Sequence, residues 1–292
     1  KKAPLAVKQG LNTIASKTYW ADADGYVIRN DFGKGLVKLG GKYYLSDGSC
    51  AIITSGVACA DGKEASKPTT IDLKNHTVEF NNSMYYLNSD YTVARNTWKG
   101  YLYFGSNGKY TSSDSTLDSY VWAIVKSVAS NTAITQVQKL LKVYYVLRGG
   151  EGSTYKDSGY YYRALHQGYE RNRYTAQTHY SWQIDSAKTM FSKHYGECYH
   201  WAAALLFMAR RLGFQAYLVV GDISGSLHCW NMIKWSGKWH ISDVEIEWGW
   251  MNGWYSGGTK YLYRNLFEQA LSSESVKSYT NPECGLVYKF PS

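Results

Sequence analysis

Gly196-Glu197-Cys198-Tyr199-His200-Trp201-Ala202-Ala203-Ala204-Leu205-Leu206 is the stretch that decides how this 292-residue chain is read. Apolar side chains recur at Trp201, Ala202, Leu205, Leu206, Met208, Ala209 and Leu212, the spacing of a helix packed on a core. Arg210 and Arg211 suit its last turn and Gly213 its stop. Gly196 allows a sharp turn just ahead of it. Cys198 then falls in or beside the first turn. There the partial positive charge of a helix N-terminus favours thiolate, and free backbone N–H groups can hold a developing oxyanion. With a histidine beside it, such a thiol is expected well below its ordinary pKa of about 8.5.

Downstream, Leu227–Trp235 and Lys238–Val244 alternate as strands, and Ser236-Gly237 between them is a two-residue hairpin signal. That loop sets Trp235 opposite Lys238, Met232 opposite Ile241, Trp230 opposite Asp243 and His228 opposite Glu245. Because strand side chains alternate, His228, Trp230, Asp243 and Glu245 are expected on one face. His228 and Asp243 become diagonal neighbours about 7–8 Å apart, within side-chain reach. A register slip of one residue would separate them. Cysteine, histidine and aspartate in this order supply an attacking sulfur, a base and an acid that orients the base.

Other readings of the same residues carry less. A cysteine on an apolar helix is commonly a small buried hydrophobe, but that leaves the histidine and aspartate unused. Glu245 and Glu247 rival Asp243 as the orienting acid. Cys198, His200, His228, Cys229 and His240 are five potential metal ligands. They contain no Cys-x-x-Cys or His-x-x-x-His pair, and Cys229 and His240 point away from His228 in the hairpin register. Three acids within five residues, Asp243, Glu245 and Glu247, cannot easily flank a glycosidic bond. His194, His200 and His240 read as exposed or structural.

Gly-Glu-Cys-Tyr-x-x-Ala, a helix, an aromatic strand ending in Gly221, then His-x-Trp-Asn and Gly-Lys-Trp-x-x-x-Asp resemble the transglutaminase-like branch of the papain-like cysteine enzymes. The resemblance is close over residues 185–247 and extends over 118–292. It implies an α+β core in which a helix carrying the cysteine packs on an antiparallel sheet carrying histidine and aspartate. It puts the nucleophile on Cys198, the base on His228 and the orienting acid on Asp243. The implied reaction is acyl transfer from a peptide or protein amide through a Cys198 thioester, to water or to an amine, with no metal or organic cofactor. Cys229 stands where the family usually has a small residue, and Val244 where proline or threonine often follows the aspartate. Trp182 and Gln183 are the candidates for an upstream oxyanion donor, and Trp230 for substrate contact.

Formal net charge is +9, spread as +4 over residues 1–117 and +5 over the remainder. No run of five basic residues exists, so a nucleic-acid stripe is not supported. A diffuse positive field suits an anionic surface such as an acidic wall polymer. No apolar run approaches 20 residues, so no membrane span is expected. No signal peptide is read at the given N-terminus, and the abrupt start at Lys1-Lys2 reads as a trimmed chain or a piece of something longer. If Cys198 stays free, Cys50 with Cys59 and Cys229 with Cys284 could form disulfides in an exported protein, or all four are plain thiols.

Twenty-eight tyrosines and 11 tryptophans are far above ordinary use. Upstream of residue 115, aromatic pairs are each followed by a polar turn. They are Tyr19-Trp20 with Asp24-Gly25, Tyr43-Tyr44 with Asp47-Gly48, Tyr85-Tyr86 with Ser89-Asp90, and Tyr103-Phe104 with Asn107-Gly108. Their spacing is an irregular repeat near 20 residues, with a degenerate copy around 61–75. These segments resemble the aromatic hairpin repeats of choline- or glucan-binding cell-wall modules; otherwise they form a β-domain with no ligand of its own. The expected organisation is a leader over 1–16, a hairpin repeat region over 17–113 and a catalytic domain over 114–292. Thr111–Ser115 reads as a polar linker, 148–160 as a glycine-rich loop beside the site, and Asp185 as the cap of a short helix through Phe191. The whole reads as an exported or wall-associated cysteine enzyme. A non-catalytic wall-binding protein with a vestigial triad is the alternative.

Overall fold

The computed structural model describes residues 7–28, 33–62, 71–149, 154–157, 170–175, 177–253, 267, 269–282 and 284–291. The chain divides into two units, one comprising Lys1–Asp61, Ser66–Lys99 and Phe104–Tyr110, the other Gly62–Ala65, Gly100–Tyr103 and Thr111–Ser292.

The first unit is a series of short antiparallel hairpins: β1 (Gly10–Ile14) with β2 (Lys17–Ala21), β3 (Gly35–Leu39) with β4 (Lys42–Ser46), and β6 (His76–Phe80) with β7 (Ser83–Leu87). Each second strand carries one of the aromatic pairs. The strand-joining turns precede those pairs, at Ala15-Ser16, Gly40-Gly41 and Asn81-Asn82, all at positive φ. The polar turns after the pairs have a different task from the one expected of them. Each is closed by its own side chain, as where Asp47 Oδ1 accepts from Ser49 N and Asp90 Oδ1 from Thr92 N. Each then leads into a single bridge: Ala21 to Val27, Ser46 to Ile52, Leu87 to Val93, and Phe104 to Tyr110. The first hairpin starts at Gly10, inside the stretch read as a leader. A two-residue strand, β5 (Ala58–Cys59), pairs with β6, the two flanking the degenerate copy around 61–75, most of which lies outside the described residues.

In the second unit, helices α1 (Ser115–Ala129), α2 (Gln136–Arg148), α3 (Ser181–Lys193) and α4 (Cys198–Arg211) cover one face of a curled antiparallel sheet. Asp114 caps α1 by accepting from Leu117 N at 2.8 Å, and Thr135 with Gln138 forms a capping box on α2. The expected linker is thus an ordered helix start. α3 begins four residues ahead of Asp185, which sits inside the helix and not at its cap. The central strands are β13 (Gln215–Ile223), β14 (Ser226–Trp235) and β15 (Lys238–Ser242), with β16 (Gln269–Ala270) beyond β15 and β18 (Val287–Lys289) and β17 (Ser278–Thr280) beyond β13. β11 (Asn172–Tyr174) also pairs with β13, β10 (Lys156–Asp157) pairs in parallel with β12 (Tyr195–Gly196), and the short strands β8 (Thr97–Lys99) and β9 (Leu102–Phe104) follow β7 in the chain.

Alternation sorts the two faces. Ala216, Leu218, Val220, Cys229, Ile233 and Trp235 join the helices, whereas Tyr217, Val219, Trp230, Met232 and Ile241 form a second core on the opposite face. All of α4 is buried, as an apolar helix between sheet and bundle must be. All five cysteines are thiols and not disulfides, with Cys229 in the helix-side core and Cys284 packed against the opposite one. Neither disulfide considered from the sequence is formed.

Candidate active site

Cys198 is the first residue of α4. Glu197 is the N-cap, and its backbone N–H donates to His200 Nδ1 at 3.1 Å. Gly196 is needed here for closeness. A Cβ at that position would lie 2.4 Å from His200 Cβ, where no side chain fits. Trp201 Nε1 donates to Gly196 O at 3.2 Å and holds the approach to the helix. Cys198 therefore sits where the backbone donors of a helix N-terminus converge.

The hairpin register holds from Trp235 opposite Lys238 through Met232 opposite Ile241 to Asn231 opposite Ser242, and there it stops. Asp243 is not a strand residue. It is the N-cap of α5 (Val244–Met251) and accepts from Ile246 N at 3.3 Å. The expected pairs Trp230 with Asp243 and His228 with Glu245 are therefore not formed. The helical turn delivers the carboxylate by another route. His228 Nε2 lies 2.9 Å from Asp243 Oδ2, with both groups buried.

The same turn brings Glu245 round to the other ring nitrogen, with Oε2 3.5 Å from His228 Nδ1. The imidazole pulls the Cys198 thiol toward thiolate, and with Nε2 committed to Asp243 and Nδ1 turned to Glu245, the ring nitrogen within reach of the sulfur is Nδ1. The Cys198 sulfur, a His228 nitrogen and a Glu245 oxygen lie within 4.8 Å of one another. Asp243 is held from two further directions. Tyr288 of β18 donates its hydroxyl to Oδ2 at 2.9 Å. Tyr144 of α2 donates to the Asp243 carbonyl at 3.3 Å and to Glu247 Oε2 at 2.6 Å, and Arg148 pairs with Glu247. Tyr144, Arg148 and Tyr288 were not found from the sequence. No motif marks them, and they reach the site only through packing of distant elements.

Burial alone would lower the His228 pKa, but the Asp243 charge and hydrogen bond outweigh it and raise the group to about 10. The Cys198 thiol moves against the expectation of a lowered pKa. Its hydrogen bond to Cys229 and its burial push it well above the ordinary value, against the pull of His228. Cys229, where the sequence departs from the resemblance, is the largest of these causes. With both groups raised, the pair favours thiol beside imidazolium, which carries one proton more than the reactive thiolate–imidazolium form.

A narrow cavity with no room for a water molecule adjoins the thiol, lined by Cys198, Ala202, Cys229, Trp230 and Glu245 among others. Trp230 belongs to it, and its ring stacks 6.2 Å from that of His228. Opposite His228 on β13 stands Gly221, whose added Cβ would lie 2.4 Å from the Trp230 ring and 2.6 Å from Lys289 O. Trp182 and Gln183 are elsewhere. The chain reverses between α3 and α4, and His179 stacks on Phe207, so the start of α3 lies near the far end of α4. Neither residue lines the cavity. The glycine-rich 148–160 loop lies largely outside the described residues. His200 accepts the Glu197 N–H, His240 stacks on Trp235 at 3.6 Å, and His194 ends α3 in a left-handed conformation.

Residues 146–244 match the family model of the transglutaminase-like superfamily. The chain thus carries a transglutaminase-like domain over that stretch. None of the curated proteins matches the chain. Among solved structures, the choline binding domain of Spr1274 from Streptococcus pneumoniae is 17% identical over 37% of this chain and 99% of its own, with a TM-score of 0.23. Choline binding protein F from the same organism is 21% identical over 36% of this chain and 34% of its own, with a TM-score of 0.15. The pneumococcal modular autolysin LytC, solved with a synthetic peptidoglycan ligand, is 17% identical over 36% of this chain and 23% of its own, with a TM-score of 0.17. This chain therefore spans about a third of the second protein and less than a quarter of the third.

Proposed function

We propose that the protein is an exported cysteine enzyme of the bacterial cell wall that transfers an acyl group from a peptide or protein amide. The observation that carries this reading is the meeting of Cys198, His228 and Asp243 from three separate elements, with His228 Nε2 on the Asp243 carboxylate and a ring nitrogen of His228 within 4.8 Å of the Cys198 sulfur. Loss of one proton from the resting pair leaves thiolate beside imidazolium. The Cys198 sulfur attacks the amide carbonyl, and the oxyanion forms at the α4 N-terminus, where the backbone N–H of Cys198 is placed to donate. His228 gives its proton from Nδ1 to the leaving amine, and a thioester remains on Cys198. Water or an amine then resolves the thioester. Throughout, Asp243 holds Nε2–H and stabilises the imidazolium. Hydrolysis is the preferred outcome for a wall protein.

The hairpin unit would attach the enzyme to wall polymer through its aromatic strands, whose faces favour sugars and quaternary ammonium groups. The alternative, a wall-binding protein with a vestigial triad, is favoured by the closed site, in which Cys198 is only 6% exposed. The two are separated by incubating the full chain with wall peptides and proteins and recording mass spectra. Loss of a fragment marks hydrolysis, and cross-linking with loss of ammonia marks transfer to an amine. Cys198→Ala must abolish either product. A folded, thiol-reactive wild type that yields neither product with any wall fraction belongs to the alternative.

A further inference from the structure

A second group of donors lies in the hairpin unit, far in sequence from the triad. β5 ends at Cys59, which pairs with Val78 of β6, and the ladder runs on as Ala60 N donates to Thr77 O at 2.7 Å. One step further, Asp61 is opposite His76. Residues 59 and 61 are two apart on one strand, and 76 and 78 two apart on the other, so alternation puts Cys59, Asp61 and His76 on one face. His76 Nδ1 lies 2.8 Å from Asp61 Oδ2, and the Cys59 sulfur lies within 4.8 Å of both. Cys59 is buried at 3% exposure, and the His76 and Asp61 side chains are at 22% and 15%.

We propose that Cys59, Asp61 and His76 form a site for a zinc-class divalent cation, with water in the fourth position. Thiolate, imidazole and carboxylate together form a borderline-soft donor set that suits Zn²⁺ or Co²⁺ and does not suit Mg²⁺ or Ca²⁺. Tetrahedral zinc places such nitrogen and oxygen donors about 3.3 Å apart, so the His76–Asp61 contact opens by about half an ångström on binding. Metal binding requires the Cys59 ligand as thiolate, so affinity rises with pH. The site also has a structural use. β5 contributes only two residues to its sheet, and the spacing between aromatic pairs doubles from about 20 to 42 residues here. A metal would tie this weakly paired segment to β6.

Among the described residues Cys198, His228 and Glu245 are another convergent set, so the test uses the full-length Cys198→Ala chain, which lacks that thiolate. After reduction and chelator treatment, this chain is titrated with Co²⁺ and its zinc content measured after dialysis against Zn²⁺. The expected result is one equivalent of metal and a near-ultraviolet thiolate-to-cobalt charge-transfer band. Cys59→Ser should lose the band, and Cys59→Ser and His76→Asn should each weaken binding at least about 100-fold, beyond the usual loss on removing an outer-shell partner. Asp61→Asn provides a second reading should His76→Asn fail to fold by circular dichroism. Absence of metal and band in folded Cys198→Ala overturns the site, as does binding that survives both Cys59→Ser and Asp61→Asn. None of these outcomes depends on Cys198 being a nucleophile.

Discussion

Asp243 is where two jobs meet, as it caps α5 and holds His228. Asn caps a helix nearly as well as Asp, so Asp243→Asn is expected to keep the fold, while the imidazolium loses its counter-charge and its tautomer control. Activity should fall by about 10³–10⁴-fold, the scale seen when such an acid becomes an amide. Glu245 lies 3.5 Å from the nitrogen that faces the thiol, so Glu245→Gln is not the silent change that a strand register would make it. Its loss should be real but at least tenfold smaller than that of Asp243→Asn, because Asp243 makes the shorter, aligned bond. Initial rates on one substrate rank the two, and a larger loss for Glu245→Gln would transfer the orienting role.

Cys229 gives a second residue-scale prediction. Its side chain is the largest of the causes that raise the Cys198 pKa. Cys229→Ala removes that cause, and the Cys198 pKa should fall. The rate of iodoacetamide labelling of Cys198 should rise towards alkaline pH in the wild type. In the variant the same rise should begin at lower pH. Mass-resolved labelling across pH checks this, and an unmoved profile would mean that burial alone holds the thiol protonated.

At the scale of elements, the sequence made some features readable and hid others for physical reasons. Ser236-Gly237 fixes the β14–β15 register because a two-residue turn leaves no freedom to slip, and the pairs from Trp235 to Met232 follow from it. The end of β15 was not readable from alternation. Val244, Ile246, Trp248 and Trp250 continue a period of two, and α5 buries nearly its whole surface, so it shows no polar face to betray a helix. The overlooked signal was Asp243 followed by Glu245 and Glu247, a capping residue with acids in the first turn. The histidine and aspartate could be paired on a wrong backbone because a helical turn and a diagonal strand step place them at similar reach. Tyr144 and Tyr288 remained hidden because their contacts span 99 and 45 residues of sequence.

Gly221 is a further point where β13, β14 and β18 meet. A Cβ there would strike both the Trp230 ring and the Lys289 carbonyl, and the carbonyl, being backbone, cannot rotate away. Gly221→Ala is expected to cost about 1–3 kcal/mol, the range for overpacking. Chemical denaturation of the purified variant measures it. Displacement of β18 would also loosen Tyr288 on Asp243, so activity should fall along with stability. Wild-type stability would mean that β18 is held less tightly than its register suggests.

For the molecule as a whole, the question is whether attachment to a wall rests on charge or on aromatic faces. The net charge of +9 is diffuse, and several of its cations are already engaged. The Arg95 guanidinium lies 3.7 Å from the centre of the Tyr43 ring and the Lys99 ammonium 4.7 Å from that of Tyr86. Attraction through a diffuse field weakens steeply with salt, because the screening length drops from about 10 Å at 0.1 M to about 3 Å at 1 M. Stacking of sugars or of a quaternary ammonium on a ring is short-ranged and is screened far less. The full chain is therefore expected to sediment with purified cell walls, and most of the bound protein should remain bound at 0.5 M salt. Cys198→Ala should sediment equally, since attachment does not draw on the thiol. Release of nearly all the protein at moderate salt would assign attachment to the positive field and leave the tyrosine-rich strands as packing. Failure to sediment at any salt would leave the hairpin unit a structural domain.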